Sequence, residues 1–195
     1  VSTRSATELQ GSHEATLGKI DFVTLRERPE LAGEVAAWLF AEWGHLSSDP
    51  ENSSEKLRAR LLAKVRDSKT SDLPVVVVAL EVLSKAGRLN KPVDTTTVAI
   101  PVGTATLKLQ ELQEQFPNVQ NWLGSIVVRP SSRGRGVGAA LVAEMERRAA
   151  QRGLTQLHLA TEELDGGLYA RLGWEAVPPI IIDRGDQVLV MRKRL

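Results

Sequence analysis

The chain has 195 residues, a formal net charge of +1, 42% hydrophobic and 25% charged residues, a composition that fits one globular domain with a sizeable core. It contains no cysteine, which excludes disulfides, thiolate metal sites and a cysteine-bound acyl intermediate. The near-zero charge gives no overall pull toward nucleic acid, a membrane or a polyacidic partner.

His13, His45 and His158 lie far apart without metal-ligand spacing, so no metal is expected. No stretch approaches the ~18 consecutive apolar residues of a membrane span. The first residues lack the apolar segment of a secretory signal, so a cytoplasmic location is expected.

Residues 1–17 are polar and aperiodic and read as a flexible tail; residues 18–195 read as a single domain. Lys19 to Arg26 alternates and predicts the first strand. Pro29 opens a helix with an apolar stripe of Leu31, Val35, Trp38, Leu39 and Trp43, stopped at Gly44. Asn52 and Glu55 have capping-box spacing before a second helix carrying Leu57, Leu61, Leu62 and Val65, to about Asp67. Leu73 to Leu83 is nearly continuous apolar sequence and predicts a central strand. A polar excursion over 84–97 separates it from a further strand, Val98 to Leu109, which contains Gly103. Gln110 to Gln120 is a polar connector.

The chain's most informative stretch follows. Trp122 to Val128 predicts a buried strand, Arg129-Pro130-Ser131-Ser132 breaks it, and Arg133-Gly134-Arg135-Gly136-Val137-Gly138 leads into a helix. Val137, Leu141, Met145 and Ala149 form that helix's apolar face, Glu144, Arg147, Arg148 and Gln151 lie off it, and Gly153 sits at its end. Strand, glycine turn and helix N-terminus together suit phosphate: glycines admit close backbone approach, the helix dipole favours negative charge, and the arginines add positive charge. The loop comes too late in the chain for a dinucleotide-binding domain, and Gly138-Ala139-Ala140 lacks the Gly-Lys-Ser/Thr of a nucleoside-triphosphate loop. A strand from Thr155 to Thr161, an acidic turn (Glu162, Glu163, Asp165), Leu168 to Glu175, and a terminal hairpin complete the chain. Pro178-Pro179 interrupts the hairpin's first strand.

Arg133, Gly136 and Gly138 match the Arg/Gln-x-x-Gly-x-Gly/Ala motif, and Leu168, Tyr169, Gly173 and Trp174 match Leu-Tyr-x-x-x-Gly-aromatic. In that order, with a strand between them, they make the sequence resemble the GNAT superfamily of acetyl-CoA-dependent N-acetyltransferases, firmly over residues 120 to 195. The run Leu39 to His45 and the hairpin at Arg184-Gly185-Asp186 resemble small bacterial-type members of unassigned substrate. The resemblance implies an α/β fold with a mixed, mostly antiparallel central sheet flanked by helices.

It also implies roles. Arg133, Gly134, Arg135, Gly136, Val137, Gly138 and Ala139 would hold the pyrophosphate of acetyl-CoA, the co-substrate. Ile126 and Val128 would pair with the pantetheine arm, and a backbone N–H near Val127 or Val128 would polarise the thioester oxygen. Tyr169, the single tyrosine, would be the general acid for the departing thiolate. Glu162 or Glu163 would be the base, with His45, Glu111 and Glu114 as alternatives. Trp38, Trp43 and His45 are candidates for the acceptor wall. With no cysteine, direct attack in a ternary complex is expected. The acceptor expected is a small amine or amino acid. Protein N-termini and a non-catalytic acyl-CoA-binding or sensing module stay open as alternatives, as does a homodimer. Neither nucleic acid nor membrane is an expected partner.

Overall fold

The computed structural model describes residues 18–47, 49, 51–67, 73–84 and 97–195. The polar tail expected over 1–17 and most of the excursion after residue 84 lie outside them.

The element order is β1 (Lys19–Thr24), α1 (Ala32–Trp43), α2 (Ser54–Asp67), β2 (Val75–Ser84), β3 (Thr97–Lys108), β4 (Trp122–Val128), α3 (Val137–Ala150), β5 (Gln156–Thr161), α4 (Gly167–Arg171), β6 (Glu175–Asp183) and β7 (Asp186–Arg194). Seven strands form one sheet in the order β1-β2-β3-β4-β5-β7-β6. Every neighbouring pair is antiparallel except β4 and β5. The expected mixed α/β sheet with helices on its faces is the one observed.

The unbroken apolar run of β2 follows from burial on both faces. Val75, Val77 and Ala79 join the core under α3, with Leu141, Met145 and Ala149. Val76, Val78 and Leu80 point the other way and pack with Val35, Leu39 and Leu61 of α1 and α2. Gly103 lets β3 pass close beneath α3: a Cβ there would lie 2.8 Å from the Val127 carbonyl oxygen and 3.0 Å from Leu141 Cδ1.

Several boundaries differ from the sequence reading for identifiable reasons. Pro29–Leu31 forms a 3-10 turn before α1. Ser53, rather than Asn52, caps α2, its Oγ accepting the Lys56 N–H at 3.2 Å. Asn52 instead donates to the Gly44 carbonyl, and Glu55 pairs with Arg58. Glu144, off the apolar face of α3, is nevertheless buried, Arg147 and Arg148 both donating to its carboxylate. Pro178 and Pro179 do not end β6, because a register shift between Val177 and Ile181 lets the strand run through them.

Candidate acetyl-transfer site

The parallel contact between β4 and β5 is confined to Trp122 opposite His158, reinforced by the His158 N–H donating to the Asn121 carbonyl at 2.9 Å. Beyond that point the strands part, and the edge of β4 from Leu123 to Val128 has no strand partner on that side. Ser125 sits in the gap with a φ of 52°, a left-handed conformation that coincides with a register shift against β3. The open edge carries Ile126 and Val128, both half-buried; Val127 is buried on the opposite side, in the α1–α2 core.

At the end of β4 the chain turns through the glycine loop. Gly134 (φ 73°) and Gly136 (φ 84°) are both left-handed, and a Cβ built on either would meet nothing within 4 Å. The loop therefore presents bare, exposed backbone immediately before α3, whose first-turn N–H groups have no partner within the helix. Val137 turns its side chain into the core, so only its backbone is available to a ligand. Gly138 lets α3 approach α4: a Cβ there would lie 3.3 Å from Leu168 Cδ2. The two sequence motifs thus meet in space. An open strand edge running into a left-handed glycine loop at a helix N-terminus fits an extended diamide arm ending in a pyrophosphate.

The two arginines of the loop differ. Arg133 is exposed; its Nε donates to the Val128 carbonyl at 3.1 Å, and Nη2 stands 3.5 Å from Glu42. Arg135 turns away from the loop and grips Glu81 of β2 through both Nη atoms, Nη1 at 3.1 Å from Oε2. Glu81 is buried, and hydrogen bonding from Arg135 holds its carboxyl below the ordinary carboxylate value. Sequence reasoning missed Glu81, a buried acid inside an apolar strand being the one signal for it.

Where β4 and β5 part, a cleft of about 970 Å³ opens. Tyr169 lines it, together with Gly124 and Ser125 of β4, Thr161, Glu162 and Glu163 after β5, and Glu111 and Glu114 of the connector. Glu42 and Trp43 of α1 form another wall, and Asp183 and Arg184 come from the hairpin. Tyr169 packs edge-on against Trp174 with ring centroids 6.3 Å apart, and burial pushes its phenol above the ordinary value of 10.0. Its hydroxyl makes no hydrogen bond with another described residue. Glu162 and Glu163 are exposed at the cleft's rim. Of the expected acceptor wall, Trp43 lines the cleft, Trp38 packs into the α1–α2 core, and His45 is exposed while its neighbour Leu46 faces in. Glu42, Lys108, Asp183 and Arg184 were not expected here, since nothing local marks them.

Among the described residues no group of three or more His, Cys, Asp or Glu could hold a metal. No helix among them is long and apolar enough to cross a membrane.

Residues 93–176 match the family model of the acetyltransferase (GNAT) domain. No curated protein matches the chain. Solved structures with the same fold include a GNAT-family acetyltransferase from Streptococcus pneumoniae (18% identity, TM-score 0.56), with 91% of this chain and 99% of that chain covered. An aminoglycoside 6'-N-acetyltransferase complexed with coenzyme A aligns over 90% of this chain and 96% of its own (15% identity, TM-score 0.58). A chain of the NatC complex bound to Gag peptide and coenzyme A aligns over 91% and 99% (19% identity, TM-score 0.56). Over residues 93–176 the chain is thus similar to the GNAT acetyltransferase domain, and its sheet and helices share the fold of these solved structures.

Proposed function

We propose that the protein is an N-acetyltransferase that moves the acetyl group of acetyl-CoA to a small amine by direct attack in a ternary complex. The observation that carries this reading is the cleft itself. It opens where β4 and β5 separate, beside the strand that leads into the glycine loop, and is lined by a half-buried, proton-bearing phenol. The β4 edge and the loop backbone hold the pantetheine and pyrophosphate, and Arg133 adds charge. Tyr169 stays protonated across neutral pH and donates to the departing thiolate.

Six carboxylates line the cleft (Glu42, Glu111, Glu114, Glu162, Glu163 and Asp183) against two cations, Lys108 and Arg184. Such a field favours a cationic amine over the carboxylate-bearing amino acid also expected from sequence. Glu162 and Glu163, exposed at the rim, draw the ammonium in. A cytoplasmic setting supplies the acetyl donor.

Isothermal titration with acetyl-CoA, with coenzyme A and ATP as controls, tests the cofactor. Binding of acetyl-CoA that is lost in Gly136→Val supports it; silence from every CoA species overturns it. A screen of amines by thiol release then tests the transfer. Tyr169→Phe lowers kcat by about 100-fold, within the usual reach of an acid catalyst, while acetyl-CoA affinity stays unchanged. Full activity in that variant removes Tyr169 from the chemistry.

A further inference from the structure

The ammonium of the acceptor must lose a proton before it can attack. Resting on the acetyl-transfer reading, we propose that Glu111 takes that proton, its carboxylate held in place over β4 by Lys108 and by the missing side chain of Gly124. Gly124 has an ordinary backbone conformation, so its lack of a Cβ serves space rather than φ. A Cβ built there would lie 2.5 Å from Glu111 Oε2 and 2.9 Å from Lys108 Nζ. The carboxylate therefore occupies the place a β4 side chain would fill, one residue before the left-handed Ser125 and inside the cleft that Tyr169 lines.

Lys108 Nζ donates to Glu111 Oε1 at 2.8 Å. Oε2, the oxygen nearer the strand, has no donor among the described residues. One oxygen is tethered and the other is left to accept. The connector bearing Glu111 is itself fastened. The Asn121 N–H donates to the Leu109 carbonyl at 2.9 Å, and Trp122 Nε1 donates to the Val119 carbonyl at 3.0 Å. His158 Nδ1 donates to the Gln120 carbonyl at 3.1 Å. A group on so fixed a loop keeps its aim, which proton transfer needs.

The other carboxylates of the cleft are placed less well. Glu114, Glu162 and Glu163 are exposed, Glu42 faces Arg133, and Asp183 stands 3.9 Å from Arg184 on the far hairpin. Glu111, by contrast, lies against Gly124 of the strand that would hold the thioester.

The step balances. Glu111 accepts one proton from the ammonium, and the freed lone pair forms the C–N bond to the acetyl carbon as the C–S bond breaks. Tyr169 gives its proton to the thiolate and regains one from the nitrogen as that becomes a neutral amide. Glu111 then releases its proton to solvent, so each turnover frees one.

The test uses the full chain and an amine found active with the wild type. Glu111→Gln is expected to lose about 100-fold in kcat, with acetyl-CoA binding and thermal midpoint unchanged. Gly124→Ala meets only the ends of two flexible side chains, so it folds, displaces the carboxylate and lowers kcat in the same way. Adding formate to Glu111→Ala restores part of the lost rate, which a purely bracing residue would not allow. Wild-type turnover in Glu111→Gln, loss of acetyl-CoA binding along with turnover, or no recovery with formate would each overturn the assignment. A wild type that binds acetyl-CoA yet releases no thiol with any amine overturns the transferase reading and this inference with it.

Discussion

Replacing Arg135 with alanine strands the buried Glu81 carboxylate, with only the Gly18 N–H (3.1 Å) left to it among the described residues. Losing one partner of a buried pair costs about 3 kcal/mol, so Arg135→Ala should show a clear drop in stability by urea denaturation. Arg133 is more than half exposed and faces Glu42 at 3.5 Å. Arg133→Ala should leave stability unchanged and weaken acetyl-CoA binding by about 1–3 kcal/mol by calorimetry. The reverse pattern would mean that the exposed arginine is the strut.

His158 gives a pH signature at the same scale. Burial pushes its imidazole below the ordinary value of 6.5; the Gln120 carbonyl opposes that shift and Arg192 adds to it. Because a carbonyl can only accept, Nδ1 carries the hydrogen, and Nε2 accepts from Gln156 at 2.9 Å. The folded state thus favours the neutral ring, and the unfolded state takes up the proton first as pH falls below 6.5. This contribution is complete above the unfolded value and is lost as pH falls toward and through the lower folded value. Thermal midpoints recorded from about pH 7 down to about pH 5 should fall less steeply in His158→Gln than in the wild type.

Between elements, α3, α4 and the terminal strand are locked by one carboxylate. Glu146 of α3 accepts from Trp174 Nε1 at 2.9 Å and from Lys193 Nζ at 2.9 Å, and Lys193 also donates to the Leu172 carbonyl at 2.7 Å. Glu146→Ala leaves a buried indole N–H and a half-buried ammonium short of an acceptor, and should cost about 2 kcal/mol by denaturant titration. A loss within the scatter of surface substitutions would show that solvent replaces it.

What could be read in advance at this scale was whatever repeats locally. The spacing of Val137, Leu141, Met145 and Ala149 defines the buried face of α3 by itself, and all four are buried. The glycine loop and the Leu168–Trp174 run were likewise readable as contiguous motifs. The burial of Glu144, off that face, was not legible because three residues on one helix decide it jointly, and the cap of α2 was misplaced by one residue because Asn52 had a competing acceptor at Gly44. The Arg135–Glu81 grip joins residues 54 apart, and Glu111 reaches Gly124 only through the course of the connector. No periodicity encodes a contact of that kind.

At the scale of the molecule, the sheet consists of two antiparallel blocks, β1 to β4 and β5-β7-β6, sewn together at one bridge and covered by α3. The chain's net charge of +1 conceals an uneven distribution, since six of its carboxylates face one cleft between those blocks. Within each block, consecutive strands are mostly neighbours, whereas the junction at Trp122 and His158 spans the whole of α3.

That single seam also bears on time. Pairings between chain neighbours close short loops quickly, and parallel ones across a helix close slowly. Trp122, fully buried with its ring 5.5 Å from His158 and 6.1 Å from Phe116, stands at the seam as a built-in reporter. In refolding followed on a chain whose other three tryptophans are replaced by phenylalanine, its fluorescence should reach the native value no sooner than the far-ultraviolet signal of the strands. A tryptophan signal that settles first would mean that the seam forms before the blocks it joins.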